Sequence, residues 1–132
     1  MKIKRLEAEN FRNLKNIAVD FEDVNIIYGK NAQGKTNLIE AIYLFTGARS
    51  FRGARDAEMI AFGSNNARLK IEFEGSGRNQ TAEIRTDGKR KVKLNGVDKK
   101  STSALSEEIK AVVFSPSHLM PVSYTHLTLP TN

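Results

Sequence analysis

Two glycines separated by four residues and followed at once by lysine and threonine constrain this chain more than any other feature: Gly29-Lys30-Asn31-Ala32-Gln33-Gly34-Lys35-Thr36. Such a pattern is a phosphate-binding loop when a buried strand enters it and a helix leaves it. Both flanks comply. Val24-Asn25-Ile26-Ile27-Tyr28 is a short run rich in β-branched residues that stops at Gly29, which reads as a buried strand feeding a loop. Beyond the loop, Leu38, Ala41, Ile42 and Phe45 recur at three- and four-residue spacing, and Gly47 stands where a C-terminal cap belongs. The spacing predicts one amphipathic helix. In that setting the glycines let backbone N–H groups turn inward around a β-phosphate, and the helix points the positive end of its dipole at the same place. Lys35 would bridge the β- and γ-phosphates, and the Thr36 hydroxyl would ligate the magnesium ion that neutralises the polyphosphate. A nucleotide with Mg2+ is the expected ligand, and Gly29 through Thr36 are the expected contacts.

The 132 residues suffice for one modest domain or a piece of a larger one. With 39% apolar and 27% charged residues, the chain has the balance of a packed globular protein and not of a disordered, collagen-like or coiled-coil one. No stretch approaches the roughly 20 apolar residues of a membrane helix. The opening Met1-Lys2-Ile3-Lys4-Arg5 leads into charge instead of an apolar signal core, so a cytosolic location without membrane contact is expected. The absence of cysteine excludes disulfides and cysteine-ligated zinc, and two distant histidines make a poor metal site. A formal net charge of +6 suits a polyanionic partner but is weak support by itself.

The remaining chain reads as strands and turns. Ile3 to Phe11 and Ile17 to Phe21 predict two antiparallel strands joined through residues 12–16. Residues 48–62 predict a loop with a short helix around Ala57 to Ala61. Leu69, Ile71 and Phe73 alternate with charged neighbours, Gly75-Ser76-Gly77 turns the strand, and Gln80 to Arg85 returns. Asp87-Gly88 and Asn95-Gly96 bracket a further strand with hairpin dipeptides that tolerate positive φ. Ser103 to Lys110 predicts a short helix capped by Ser103, and Ala111 to Phe114 a buried strand closed by Pro116. The fold class expected is α/β, with a mixed sheet, the loop helix and an antiparallel meander.

Kinases, GTPases and motor-like ATPases share the loop, so the flanks decide among them. Leu6-x-x-Glu9-Asn10-Phe11-Arg12-Asn13-Leu14, the loop ending Gly34-Lys35-Thr36-Asn37, and Leu38-Ile39-Glu40-Ala41-Ile42-Tyr43 together resemble the RecF family. Arg49-Ser50-Phe51-Arg52, Asp56-x-Glu58-Met59-Ile60, Phe62-Gly63 and Val113-Phe114-Ser115-Pro116 continue the likeness in order, over residues 1–121. Ala32 stands where many relatives have glycine, and Ser117-His118 replaces an acidic pair. The resemblance implies a P-loop NTPase of the ABC/SMC head type, of which residues 1–121 would be the N-terminal, ATP-binding lobe. It adds Asn37 and Arg12 to the expected nucleotide contacts; a solvated or ion-paired Arg12 is the alternative. It further implies an ATP-dependent homodimer and DNA binding at single-strand gaps and single-strand to double-strand junctions. With RecO and RecR as partners, such a protein would promote RecA loading in recombinational repair and the SOS response. No apolar strand ending in Asp-Glu and no signature loop resembling Leu-Ser-Gly-Gly-Gln occurs in these residues, so binding with little or no hydrolysis is expected and no catalytic residue is assigned. Another SMC-like head, or a basic DNA-binding fragment without ATPase function, is the alternative. A small-molecule kinase is disfavoured by the meander.

Val122 to Asn132 is expected to be non-native: it carries no Asp, Glu, Lys or Arg and resembles a translated sequencing adapter. A β-strand tail is the other reading. Lys89-Arg90-Lys91-Val92-Lys93 and Lys99-Lys100 could meet DNA phosphates, or could line a solvated strand face. Glu40 is expected to be a helix-surface carboxylate, and Phe51 and Arg52 to be a core phenylalanine beside a surface arginine or a nucleic-acid contact.

Overall fold

Period-two alternation organises most of the chain. The computed structural model describes residues 1–23, 32–47, 49–50, 53–114 and 126–128; for 32–35, 112–114 and 126–128 the description is of the backbone alone. The strand expected at 24–28 and the start of the loop at 29–31 lie outside the described residues, as do 51–52 and 115–125.

Six strands form one sheet: β1 (Lys2–Phe11), β2 (Leu14–Asp20), β3 (Ala67–Gly75), β4 (Arg78–Thr86), β5 (Arg90–Leu94) and β6 (Val97–Lys99). Their spatial order is β2-β1-β3-β4-β5-β6, and every pairing is antiparallel. In β3 the residues Ala67, Leu69, Ile71 and Phe73 are buried, while Arg68, Lys70, Glu72 and Glu74 face outward. β4 and β5 repeat the rhythm through Ala82, Ile84 and Val92. β1 departs from strict alternation, since its buried residues are Ile3, Leu6, Ala8 and Phe11. A register shift between Ile3 and Arg5, and a positive φ of 54° at Asn10, keep all four on the inner face.

The inner face is covered by α1 (Ala32–Leu44), by the short helix α2 (Asp56–Met59), and by the stretch from a 3-10 turn, Thr102–Leu105, to Ile109. Their apolar side chains join those of the sheet in one core. The expected amphipathic helix is instead buried on most of its circumference from Asn37 onward: Asn37, Leu38, Ile39, Glu40, Ala41, Ile42, Leu44 and Phe45 are all inside. Glu40 is therefore not a surface carboxylate. It has no exposed area.

Turn chemistry decides the connections. Ser76-Gly77 and Asn95-Gly96 both take positive φ at both positions, the type I′ geometry that matches strand twist. Asp87-Gly88 differs from the expected two-residue turn: Thr86 pairs with Arg90, leaving a three-residue loop in which Asp87 Oδ1 accepts from the Lys89 N–H. The β1–β2 connection is tighter than 12–16, since Phe11 pairs with Leu14 and only Arg12 and Asn13 lie between. The helix expected from Ser103 to Lys110 contracts to the 3-10 turn, with Ser103 inside it. Gly47 ends α1 as predicted at φ 86°, and a Cβ there would stand 2.8 Å from the Thr102 carbonyl oxygen. A two-stranded pair, β7 (Val112–Phe114) with β8 (His126–Thr128), completes the described structure.

Candidate nucleotide-binding site

The helix begins inside the motif. α1 starts at Ala32, so Ala32, Gln33, Gly34 and Lys35 form its first turn, whose N–H groups have no carbonyl partner within the helix. No acidic residue occupies that turn, so nothing there competes with an anion for the positive helix end. Thr36 follows, partly buried. The side chains of Ala32 to Lys35, and all of Gly29, Lys30 and Asn31, lie outside the described residues.

Arg12 reaches the same helix from the β1–β2 turn. Its Nε donates to Glu40 Oε1 at 2.5 Å and its Nη2 to Glu40 Oε2 at 3.3 Å. The Ser50 hydroxyl also donates to Glu40 Oε2. One residue further, Asn37 Nδ2 donates to Asn13 Oδ1 at 2.6 Å. The turn is thus tied to α1 through both of its residues. It is tied to the α2 segment as well, because the Arg12 N–H donates to the Met59 carbonyl at 2.7 Å and the Ala61 N–H to the Asn10 carbonyl at 2.8 Å. These bonds hold Arg12 at φ 50°, a conformation in which a side chain bearing a Cβ costs about 1 kcal/mol.

Thr36 and Glu40 are four residues apart on α1, about one helical turn, so the carboxylate that holds Arg12 shares a helix face with the threonine. The described contacts give Arg12 a partly buried ion pair with Glu40. Sequence reasoning missed Asn13 and Ser50, and misplaced Glu40. A carboxylate flanked by Leu38, Ile39, Ala41 and Ile42, four residues after the threonine of the motif, is the signal that could have found it.

ATP and Mg2+ fit what is described. A helix N-terminus free of carboxylates suits a polyphosphate. Among the described residues no cluster of three His, Cys, Asp or Glu could hold a metal. Mg2+ commonly takes one or two protein oxygens, with the rest from phosphate and water, and Thr36 can supply one.

The basic hairpin divides into two parts. Arg90 turns inward and grips Asp56 at 2.6 Å and 3.0 Å, so it is a structural ion pair between β5 and α2. Lys91 and Lys93 lie exposed on either side of buried Val92. On the outer face Arg68, Arg85 and Lys91 stand directly opposite one another across β3, β4 and β5. With Glu9, Asp87 and Lys89 they line a shallow depression. Burial pushes the Glu83 carboxyl up, but the hydrogen bond from Arg85 and the charges of Arg68 and Arg85 together hold it below its ordinary value.

The profile of the AAA ATPase domain matches residues 1–117. The DNA replication and repair protein RecF of Ruminiclostridium cellulolyticum is 40% identical over 126 residues, covering 92% of this chain and 34% of that protein. The chain belongs to the RecF family of AAA ATPase domains. RecF of Halalkalibacterium halodurans is also 40% identical, over 121 residues. The chain spans about a third of the length of the curated relatives it matches. A structure of the recombination mediator protein RecF with ATP, from the RecFOR pathway, superposes with a TM-score of 0.73 at 36% identity, covering 78% of this chain and 30% of the other. The SMC head domain of Thermotoga maritima superposes at 0.64 with 24% identity, a likeness of fold alone. The fold is thus the P-loop, ABC/SMC head type. Among the described residues no helix is long and apolar enough to cross a membrane.

Proposed function

We propose that this chain is the ATP-binding lobe of a RecF-type DNA replication and repair protein. The observation that carries the reading is the start of α1 inside the motif, with Arg12 held on the Thr36 face of the same helix. Gly29 through Thr36 would hold the phosphates, with Lys35 toward the terminal two and Thr36 as the protein's ligand to Mg2+. Asn37 contributes through Asn13, which it anchors. Bound Mg2+ neutralises phosphate charge; the chain's own part is to bind and orient the nucleotide, without turnover by these residues.

In the whole protein this lobe serves an ATP-dependent homodimer in the cytosol. That dimer engages DNA at single-strand gaps and acts with RecO and RecR to promote RecA loading in recombinational repair and the SOS response. The outer-face cations Arg68, Arg85, Lys89 and Lys91 support the DNA part of the reading, since phosphate contacts need no more than clustered Lys and Arg. We assign residues 1–121 to the family lobe and keep 122–132 as a non-native tail; the β7–β8 pairing is one that any extended segment can make. Genomic sequence running on past codon 121 into a different, basic segment would support that assignment, and a native locus encoding this tail would refute it.

Equilibrium binding of labelled ATP with Mg2+, beside a Lys35→Ala variant, tests the central claim. Saturable binding that the substitution abolishes is the expected result. A folded chain that binds no ATP, or binds it equally well without Lys35, would sink the reading.

A further inference from the structure

Glu40 has no exposed surface and lies among apolar neighbours on α1, and the nucleotide site as proposed leaves it without a task. An isolated carboxylate in such surroundings loses several kcal/mol of hydration, and an apolar side chain of similar size would fill the space more stably. Holding the core together is therefore not what a carboxylate suits. Holding a cation is. Glu40 grips the Arg12 guanidinium at two points, through Nε and Nη2, the side-on geometry that fixes the plane of the arginine as well as its position. The grip uses two of the five N–H donors. The Ser50 hydroxyl, from the segment following α1, meets the same carboxylate and fixes its rotation. The turn bearing Arg12 is locked in turn by Met59 and by the Asn13–Asn37 bond.

We propose that Glu40 and Ser50 are positioning residues: from one helical turn past Thr36, Glu40 presets Arg12 as a second cation for the polyphosphate of the nucleotide. The proposal rests on the reading of Gly29–Thr36 as the ATP site. A guanidinium already oriented loses less rotamer freedom when the ligand arrives, so its contribution to affinity depends on the carboxylate behind it.

The test is a double-mutant cycle on the intact 132-residue chain, reading Mg-ATP and AMP dissociation constants with thermal unfolding of each variant. Arg12→Ala is expected to weaken ATP about ten-fold, the worth of one charge-assisted hydrogen bond. Glu40→Gln, which keeps the volume, is expected to weaken it comparably, and the double variant no more than Arg12→Ala alone. AMP affinity should change little, because the effect follows the number of phosphates. Ser50→Ala is expected to raise the ATP constant about two-fold, and only when Arg12 is present; it decides the matter if Glu40→Gln does not fold. A Glu40→Gln variant that is less stable yet binds ATP normally would overturn the proposal, as would effects that add fully in the double variant. Retention of ATP binding by Lys35→Ala would instead mean that the site reading itself had failed. Loss with Lys35→Ala beside a silent Arg12→Ala would leave that reading standing and refute the positioning role.

Discussion

The two faces of the six-stranded sheet solve the problem of charge in opposite ways. On the outer face, Glu7, Lys70, Glu83, Lys93 and Asp98 pair across five strands with alternating sign. These groups remain in contact with water, so each pair is worth little and none is indispensable. On the inner side one carboxylate, Glu40, is fully enclosed by core and met by Arg12 and Ser50. Many charges spread over a wet face give solubility and a field for polyanions. One charge in the core gives geometry.

The largest expected separation between the faces is in stability. Phe73→Ala, on the fully buried side of β3, should lower unfolding free energy by about 3–5 kcal/mol, while Glu72→Ala beside it should change it by less than about 0.5 kcal/mol. Chemical denaturation of both checks this; equal effects would mean that the sheet has no single inner face. A second contrast uses two glycines of positive φ. Gly47→Ala meets the Thr102 carbonyl at 2.8 Å, whereas Gly88→Ala, at φ 115°, meets nothing within 4 Å. Both suffer backbone strain of about 1 kcal/mol, but Gly47→Ala should lose about 1–3 kcal/mol more, because α1 must move from the 102–105 turn. Thermal unfolding that ranks them the other way would break the assignment of that contact. The smallest effect is electrostatic. Glu83 has a depressed folded pKa, so its stabilising contribution is present above the ordinary glutamate value of 4.5 and is lost as pH falls through the lower folded value. Glu83→Gln should therefore cost up to about 1 kcal/mol at neutral pH and nothing at acid pH. A cost that persists unchanged into acid would show that Glu83 acts by packing.

The legible parts of the chain were those governed by local rules. Leu69-x-Ile71-x-Phe73 could only bury one face of a strand, and Asn95-Gly96 could supply two positive φ values where few other dipeptides can. The helix after the motif was legible in place and in its end at Gly47. Its surroundings were not. Periodicity in Leu38, Ala41, Ile42 and Phe45 marks one apolar stripe, but whether the opposite side meets water depends on what else packs there, and the β1–β2 turn and the segment after α1 do. For the same reason the hairpin's basic run looked uniform, although Arg90 belongs to Asp56 and only its neighbours face solvent.

By itself, then, the sequence determined the strand and turn periodicities, the helix that ends at Gly47, and the family, because these rest on residues close together in the chain. Only the tertiary structure decided which charged residues work singly and which in company. Arg12, Glu40 and Ser50 are separated by 28 and 10 residues, and no spacing rule reaches across such gaps. Burial brings them together, and burial is a property of how elements pack, since a carboxylate withdrawn from water must find its partners wherever the fold places them.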